Sequence, residues 1–208
     1  MPALEYHESL WQGVPEGLDP SDFQLRRRFL LERVQAGQHV LDVGCGEGRF
    51  SAELIGVGAH AVGIDVAEEP LRRARAHNPA LELRLVPDAG PWSLPDASFD
   101  VVWAGEVIEH VADTAAWLSE VRRVLRSGGS LVISTPAYGR STLLRMALSR
   151  GAFAERFEPR GDHLRFYNRD TLARLIRDFG FEQISVRGAG GVPGARRLLL
   201  AHAIRSRF

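Results

Sequence analysis

Short apolar blocks separated by polar stretches run along most of the chain, and they predict strands alternating with helices. The blocks at residues 40–43, 61–64 and 131–134 are almost wholly apolar, as expected of strands buried on both faces. Residues 81–86 alternate apolar and charged side chains, which predicts a half-exposed strand near a sheet edge. The predicted strands are 40–43, 61–65, 81–86, 100–104, 131–134, 181–186 and 197–204.

Helical periodicity fills the intervals between these strands. Asp19 suits an N-cap and Pro20 a first helical residue, and Phe23, Leu30 and Val34 follow at helical spacing, which predicts that they face the sheet. The other predicted helices occupy 50–55, the residues after 65, 113–126 with a stop at Ser127-Gly128-Gly129, and 168–180 with Asn168 as N-cap.

The connections between successive strands are long enough to cross over the sheet. Such βαβ units are right-handed and give a parallel sheet, so the chain is assigned to the α/β class. The last strand is expected to return antiparallel after the glycine-rich turn at 188–194. A single domain spanning 1–208 is predicted, with an N-terminal flap and helix at 1–36 and a helical lid insertion at 137–163.

A glycine turn follows the first predicted strand. Gly44, Gly46 and Gly48 occupy every second position, and a helix begins directly after them. Glycine lets a ligand approach the backbone closely, and the helix start offers unpaired N–H groups. Asp42 lies inside the first strand, and its carboxylate is expected either to brace the loop or to bind a cation. Asp65 ends the next strand, where a carboxylate can accept hydrogen bonds from both hydroxyls of a ribose.

These motifs resemble those of the class I S-adenosylmethionine (SAM)-dependent methyltransferases. Residues 40–48 match the first motif of that family and Gly63-Ile64-Asp65 its second, and the resemblance extends from about 40 to 204. A nicotinamide site would place its third glycine where Arg49 stands, so an oxidoreductase is disfavoured. The resemblance implies a Rossmann-like, doubly wound, seven-stranded sheet, mostly parallel with an antiparallel last strand, and SAM as cofactor with S-adenosylhomocysteine (SAH) as product.

The family pattern also assigns the cofactor site. Asp88 matches the acceptor for the adenine amino group, with the N–H of Ala89 serving the ring, although a turn carboxylate is the alternative. Trp92 either packs on the purine or anchors its loop, and Glu109 is interpreted as solvated. The residues predicted to bind the cofactor are Asp42, Gly44, Cys45, Gly46, Gly48, Asp65, Val66, Asp88, Ala89, Glu106 and Val107.

Composition narrows the function classes. The 26 acidic and 26 basic residues balance, which argues against a general nucleic-acid-binding surface. All the basic residues are Arg, so lysine chemistry is excluded, and the single cysteine, Cys45, excludes an intrachain disulfide. The polar N-terminus and the lack of an apolar run of ~20 residues predict a cytoplasmic protein with no membrane span, as a monomer or homodimer.

Two segments are expected to cover the site. Residues 1–18 are either a disordered tail or a flap over the ligands, and 137–163 mixes aliphatic, aromatic and arginine residues after the fifth strand. The arginines of this second segment could bind an anionic group of the substrate. Its apolar side could instead pack in the core, form a dimer contact or bind a lipid-like substrate. Arg26, Arg27 and Arg28 are interpreted as a solvated face, with one of them able to reach the SAM carboxylate. The substrate contacts predicted are Tyr6, Trp11, Tyr138, Arg140, Arg165 and Tyr167.

Methyl transfer from a sulfonium is an in-line displacement, so it requires alignment and water exclusion, and neither a metal nor a covalent intermediate. The candidate bases are His110, beyond the fourth strand, and His163, at the exit of the lid; loop ordering is the alternative for each. No metal-ligand spacing is recognised. The predicted function is methyl transfer to a small molecule, at oxygen more readily than nitrogen, with carbon open; a non-catalytic SAM-binding or scaffold protein is the alternative.

Overall fold

A computed structural model describes residues 3–88, 90–158 and 161–207, without the side chains of residues 3–6 and 155. Seven strands and eight helices lie in that part of the chain. The helices are α1 (Ala3–Gln12), α2 (Phe23–Leu31), α3 (Arg49–Gly56), α4 (Glu68–His77), α5 (Thr114–Val124), α6 (Arg140–Leu148), α7 (Arg150–Arg156) and α8 (Arg169–Asp178). The strands are β1 (His39–Val43), β2 (His60–Asp65), β3 (Glu82–Leu85), β4 (Phe99–Gly105), β5 (Leu125–Pro136), β6 (Phe181–Ala189) and β7 (Leu198–Arg205).

The seven strands form one sheet in the order β3-β2-β1-β4-β5-β7-β6. The pairs among β1 to β5 are parallel, and β7 pairs antiparallel with both β5 and β6. The predicted α/β class, the doubly wound order and the antiparallel last strand are therefore confirmed. The alternating strand β3 lies at the edge, as predicted.

Apolar side chains cover both faces of this sheet. One buried cluster joins β4 and β5 to α5 and α8 and includes Trp117 and Ile176. The other joins β1 to α2 and α3 and includes Phe29, Phe50 and Trp103. Because both faces are covered, the central strands read as continuous apolar runs in the sequence.

Two helix starts agree with the sequence. Asp113 accepts hydrogen bonds from the backbone of Ala115 and Ala116, and Asn168 forms a capping box with Thr171.

The predicted start of α2 is wrong. The helix begins at Phe23, after Asp22, which has a left-handed backbone and makes no side-chain cap. Asp19 instead accepts from the guanidinium of Arg49 in α3, so its carboxylate is used in a tertiary ion pair.

The predicted glycine stop of α5 is also wrong. The helix ends at Val124, and β5 starts at Leu125, so Ser127, Gly128 and Gly129 lie within the strand. Leu125 already pairs with Phe99 in β4, and this pairing ends the helix earlier than the local glycine signal indicates.

The N-terminal residues form a helix, α1, that lies against α4. Arg73 of α4 donates to the carbonyl of Trp11 at 3.0 Å and to that of Val14 at 2.7 Å. Residues 8 and 68 also meet, since Glu8 accepts from the backbone N–H of Glu68 at 2.5 Å. The segment is thus held over the carboxyl end of β2.

The insertion after β5 contains the short helices α6 and α7. The leucines and phenylalanines on these helices and directly after α7 are exposed: Leu143, Leu144, Leu148, Phe153 and Phe157. None of the described helices is both long enough and apolar enough to cross a membrane.

Candidate active site

The carboxyl ends of β1, β2 and β4 meet at one edge of the sheet. Val43 of β1 pairs with Ile64 on one side and Ala104 on the other, so the loops after these three residues converge. Two neighbouring cavities of about 280 and 350 Å³ open there, and both are lined by Trp11, Gly44 and Glu106.

The glycine turn forms the floor between these cavities. Gly44 and Gly46 have φ angles of 66° and 54°, which side-chain-bearing residues rarely adopt. A Cβ on Gly44 would lie 2.5 Å from the side chain of Val107, and one on Gly46 would lie 2.9 Å from the ring of Trp11. The absence of a Cβ at these two positions therefore lets Val107 and Trp11 pack directly against the backbone of the turn.

Asp65 fixes the turn to the end of β2. Its Oδ2 accepts from the N–H of Gly46 at 2.9 Å, and its Oδ1 accepts from that of Ala67 at 3.0 Å. Burial raises the pKa of this carboxyl, whereas the backbone donors favour its charged form. Each carboxylate oxygen retains a second lone pair, and Asp65 lines the smaller cavity, so it can still accept from a ligand hydroxyl.

Asp42 and Gly48 lie outside the lining of both cavities. Asp42 is 1% exposed and accepts a 2.7 Å hydrogen bond from Ser51 of α3, so it braces the helix behind the turn. Burial and the neighbouring Asp65 charge raise the pKa of Asp42 to about 7. A Cβ on Gly48 would clash with Leu81, so this glycine lets Leu81 pack against the start of α3.

Cys45 lines the larger cavity but is almost fully buried. Burial, together with the charges of Asp42 and Asp65, raises the pKa of its thiol, which keeps it protonated and unreactive.

The interpretation of Arg26 as solvated is wrong. Its side chain is 2% exposed, and Nε donates to Ser134 Oγ of β5 at 3.0 Å while Nη1 donates to the carbonyl of Ser21 at 3.1 Å. The guanidinium lines the larger cavity together with Glu106, whose Oε1 is buried and accepts no hydrogen bond from the described residues. Burial raises the pKa of Glu106, and the nearby Arg26 charge opposes that shift.

The smaller cavity extends to the ends of β2 and β3. Val66, Val86, Asp88 and Trp92 line this part, and Trp92 packs edge-on against Trp117. Ala89 lies outside the described residues, so the structure does not place its N–H.

His110 and Asp162 of the same cavity belong to a polar cluster that also contains Glu109, Tyr138 and His163. The two imidazoles meet edge to face, with ring centroids 4.8 Å apart. His110 Nδ1 lies 2.9 Å from the Asp162 carbonyl, and His163 Nδ1 lies 3.1 Å from the Tyr138 hydroxyl. A carbonyl only accepts, so Nδ1 of His110 carries a proton and Nε2 is left as the acceptor of the neutral ring. Burial lowers the pKa of His163, and the adjacent His110 lowers it further.

The interpretation of Glu109 as solvated is wrong as well. The residue is fully buried, and its Oε2 accepts from the Thr135 hydroxyl at 2.8 Å. Its backbone carbonyl accepts from the N–H groups of Leu164 and Arg165, which holds the segment after the insertion against the loop after β4. Burial and the charge of Glu106 raise the pKa of Glu109 to about 8.

The other predicted substrate residues are dispersed. Arg165 donates to the carbonyl of Ala112, and the buried Tyr167 hydroxyl donates to that of Ile108, so both order the loop after β4 and neither lines the two cavities. Arg140 and Tyr138 line a separate cavity of about 410 Å³ between α6 and the β6–β7 turn. The side chain of Tyr6 lies outside the described residues.

The chemistry of this lining fits SAM. The buried guanidinium of Arg26 and the Glu106 carboxylate, whose Oε1 accepts no hydrogen bond from the described part of the chain, line the cavity at the glycine turn. Such groups can pair with the carboxylate and the ammonium of an amino acid. A carboxylate at the end of β2 suits a ribose, and an apolar slot with Asp88 suits an adenine.

Comparison with known proteins also identifies methyltransferases as the relatives of this chain. A family model described as a methyltransferase domain matches residues 19–186. A protein of Thiobacillus denitrificans named ubiquinone biosynthesis O-methyltransferase is 33% identical over 171 residues, covering 79% of this chain and 73% of its own length. A Mycolicibacterium smegmatis protein described as a SAM-dependent methyltransferase is 37% identical over 172 residues, covering 80% of this chain and 62% of its own length.

Solved structures share the fold. A chain from a complex of a Haloferax volcanii methyltransferase and its activator superposes with a TM-score of 0.78 at 17% identity, covering 99% of each chain. Phosphoethanolamine N-methyltransferase 2 of Haemonchus contortus, in complex with SAM, has a TM-score of 0.71 at 17% identity, covering 97% of this chain and 56% of its own.

Proposed function

We propose, since this chain belongs to the SAM-dependent methyltransferases, that it transfers the methyl group of SAM to a hydroxyl oxygen of a small-molecule acceptor. One observation carries the proposal. The same cavity is lined by Gly44 and Asp65 and by His110 and Asp162. A methyl donor held at Gly44 and Asp65 would therefore share this cavity with His110.

The proposed cofactor contacts follow from charge and burial. Arg26 would pair with the carboxylate of the amino-acid part, and Glu106 would accept from its ammonium. Asp65 would accept from the ribose hydroxyls, with Val66, Asp88 and Trp92 around the adenine. Bound SAM supplies a methyl group on a positively charged sulfur, which needs only alignment and a dry site to react.

The proposed acceptor end has a polar wall and an apolar wall. Val111, Trp117 and Leu10 supply apolar surface, and His110 lies on the polar wall. His110 would take the proton of an acceptor hydroxyl. Oxygen is favoured because several relatives are named ubiquinone biosynthesis O-methyltransferases. An imidazole is also suited to a hydroxyl whose proton must leave near neutral pH.

We assign residues 1–208 to one catalytic domain. Residues 1–36 would cover the cofactor, since Trp11 lies over the glycine turn. The insertion at 137–163 would close over the acceptor, since its last residues, Asp162 and His163, reach the polar cluster. Arg140 and Arg145 of this lid line further cavities beside Tyr138 and are the candidates for an anionic group of the acceptor.

The direct test is turnover. Purified protein with SAM and a panel of phenols, catechols, hydroxy acids and amines should release SAH and add 14 mass units to one acceptor class, with oxygen acceptors methylated. Tight binding of SAM without turnover on any class would support the non-catalytic alternative. Methylation of amines alone would contradict the oxygen assignment.

A further inference from the structure

We infer that Glu109, His110 and His163 form a binding site for a divalent transition-metal ion. One potential ligand atom from each of the three lies within 4.8 Å of those from the other two. They come from two segments more than fifty residues apart in sequence. Two imidazoles and one carboxylate are the ligand set of open zinc sites and of some iron(II) sites.

The buried carboxylate oxygen is the strongest observation. Glu109 is fully buried, and its Oε1 accepts no hydrogen bond from the described residues although Oε2 is bonded to Thr135. A buried oxygen without a donor is costly, so the site calls for a cation or a proton at that atom. Oε1 faces His110, whose Nε2 lies 3.8 Å away.

Hydrogen bonds from neighbouring residues orient all three proposed ligands. Thr135 holds the Glu109 carboxylate through its Oε2. His110 uses Nδ1 on the Asp162 carbonyl, and His163 uses Nδ1 on the Tyr138 hydroxyl. Both rings therefore keep Nε2 for another partner. Metal-binding histidines in proteins are held by the second ring nitrogen, which donates to a carboxylate, a backbone carbonyl or a water.

The spacing requires a small closure. Ligand atoms of a tetrahedral zinc ion at ~2.1 Å lie roughly 3.4 Å apart. The 3.8 Å between Glu109 Oε1 and His110 Nε2 is near this value. His163 is the last residue of the insertion and is half-buried, so its ring can rotate toward the other two ligands.

Three protein ligands leave a coordination position open, and His110 lines the cavity of the proposed acceptor site. An acceptor hydroxyl at that position would lose its proton more readily, because a divalent cation stabilises the oxyanion. In that case His110 holds the ion and does not take the proton itself. This role rests on the proposed function, whereas metal binding does not.

The test uses tag-free, metal-stripped full-length protein and cobalt(II) or zinc(II) alone. We expect one equivalent of cobalt to bind with visible d–d absorption, and zinc to displace it. His110→Ala, His163→Ala and Glu109→Gln should each weaken affinity at least tenfold. Glutamine keeps the acceptor for Thr135, and the two histidines are only partly buried, so folding is checked by circular dichroism.

The matched control is the exposed pair His39 and His60, whose rings lie 5.0 Å apart at the opposite edge of the sheet. His39→Ala and His60→Ala should bind cobalt like the unsubstituted protein. Absence of stoichiometric binding, or binding lost in these controls and kept in His110→Ala, would overturn the site. SAM affinity measured on the same samples separates that result from a failure of the methyltransferase assignment.

Discussion

Asp65 Oδ2 accepts the N–H of Gly46 at 2.9 Å and so joins the end of β2 to the glycine turn after β1. The carboxylate predicted to hold a ribose is therefore also the group that shapes the turn beneath the amino-acid part. In the proposed site, the positions of the ribose and of the amino-acid part of the cofactor would both depend on this one side chain.

Replacement of Asp65 should weaken the cofactor strongly. A hydrogen bond to a charged group contributes about 1.5–3 kcal/mol, so Asp65→Ala should raise the Kd of SAH at least tenfold. Calorimetry with SAH measures the effect. Asp178→Asn, on the exposed end of α8, serves as the control and should bind normally. Unchanged affinity in Asp65→Ala would show that this carboxylate does not contact the cofactor.

The buried guanidinium of Arg26 should act on one part of the cofactor only. Arg26→Ala should weaken SAH binding at least tenfold, because the amino-acid carboxylate loses its charged partner. Binding of 5′-methylthioadenosine, which lacks that carboxylate, should change little. Arg27→Ala is the control, since Arg27 pairs with Glu53 outside the cavities. Equal losses for both ligands would indicate a general structural effect.

Asp42 should make stability depend on pH. Its pKa is about 7 in the folded protein, whereas the ordinary pKa of an aspartate, expected in the unfolded chain, is 3.8. Between these two pH values the folded protein therefore keeps a proton on Asp42 that the unfolded chain has released. Stability from this group is complete below about pH 4 and is lost as pH rises to about 7.

Urea unfolding of the unsubstituted protein and Asp42→Asn measures this dependence. The difference in unfolding free energy should shift in favour of the asparagine variant by at most about 4 kcal/mol between pH 4 and 7. It should be constant above that range. Parallel profiles at all pH values would refute the raised pKa, and Asp178→Asn should follow the unsubstituted protein.

His110 should affect turnover without affecting the cofactor. His110→Ala should lower kcat by about 10²–10⁴, the range for losing a group that assists proton removal. The Kd of SAH should stay within about twofold, because His110 is not among the proposed cofactor contacts. His60→Ala is the control. A normal kcat in His110→Ala across pH 6–9 would remove this residue from the chemistry.

The sheet could be predicted because strands that are buried on both faces appear as apolar runs in the sequence. The glycine turn could be predicted for a different reason: few residues other than glycine adopt the positive φ angles found at Gly44 and Gly46. Helix ends are less predictable where contacts distant in sequence determine them. Asp19 pairs with Arg49 of α3 and does not cap α2, and Leu125 pairs with Phe99 of β4 and so belongs to β5.

The charged residues of the site were the hardest to interpret. Arg26 lies three residues after Phe23 and four before Leu30, so helical spacing already placed it on the buried face, and its charge alone suggested solvent. Glu109 gave no such signal. Its burial depends on Thr135 of β5 and on the backbone after the insertion, contacts that only the fold brings together.

A crystal structure with SAH bound tests the proposed site most directly. The amino-acid part should lie on the glycine turn beside Arg26 and Glu106, the ribose on Asp65, and the adenine between Asp88 and Trp92. The sulfur should face the cavity end at His110. Density for SAH elsewhere, or an adenine in place of the amino-acid part at the glycine turn, would contradict the assignment.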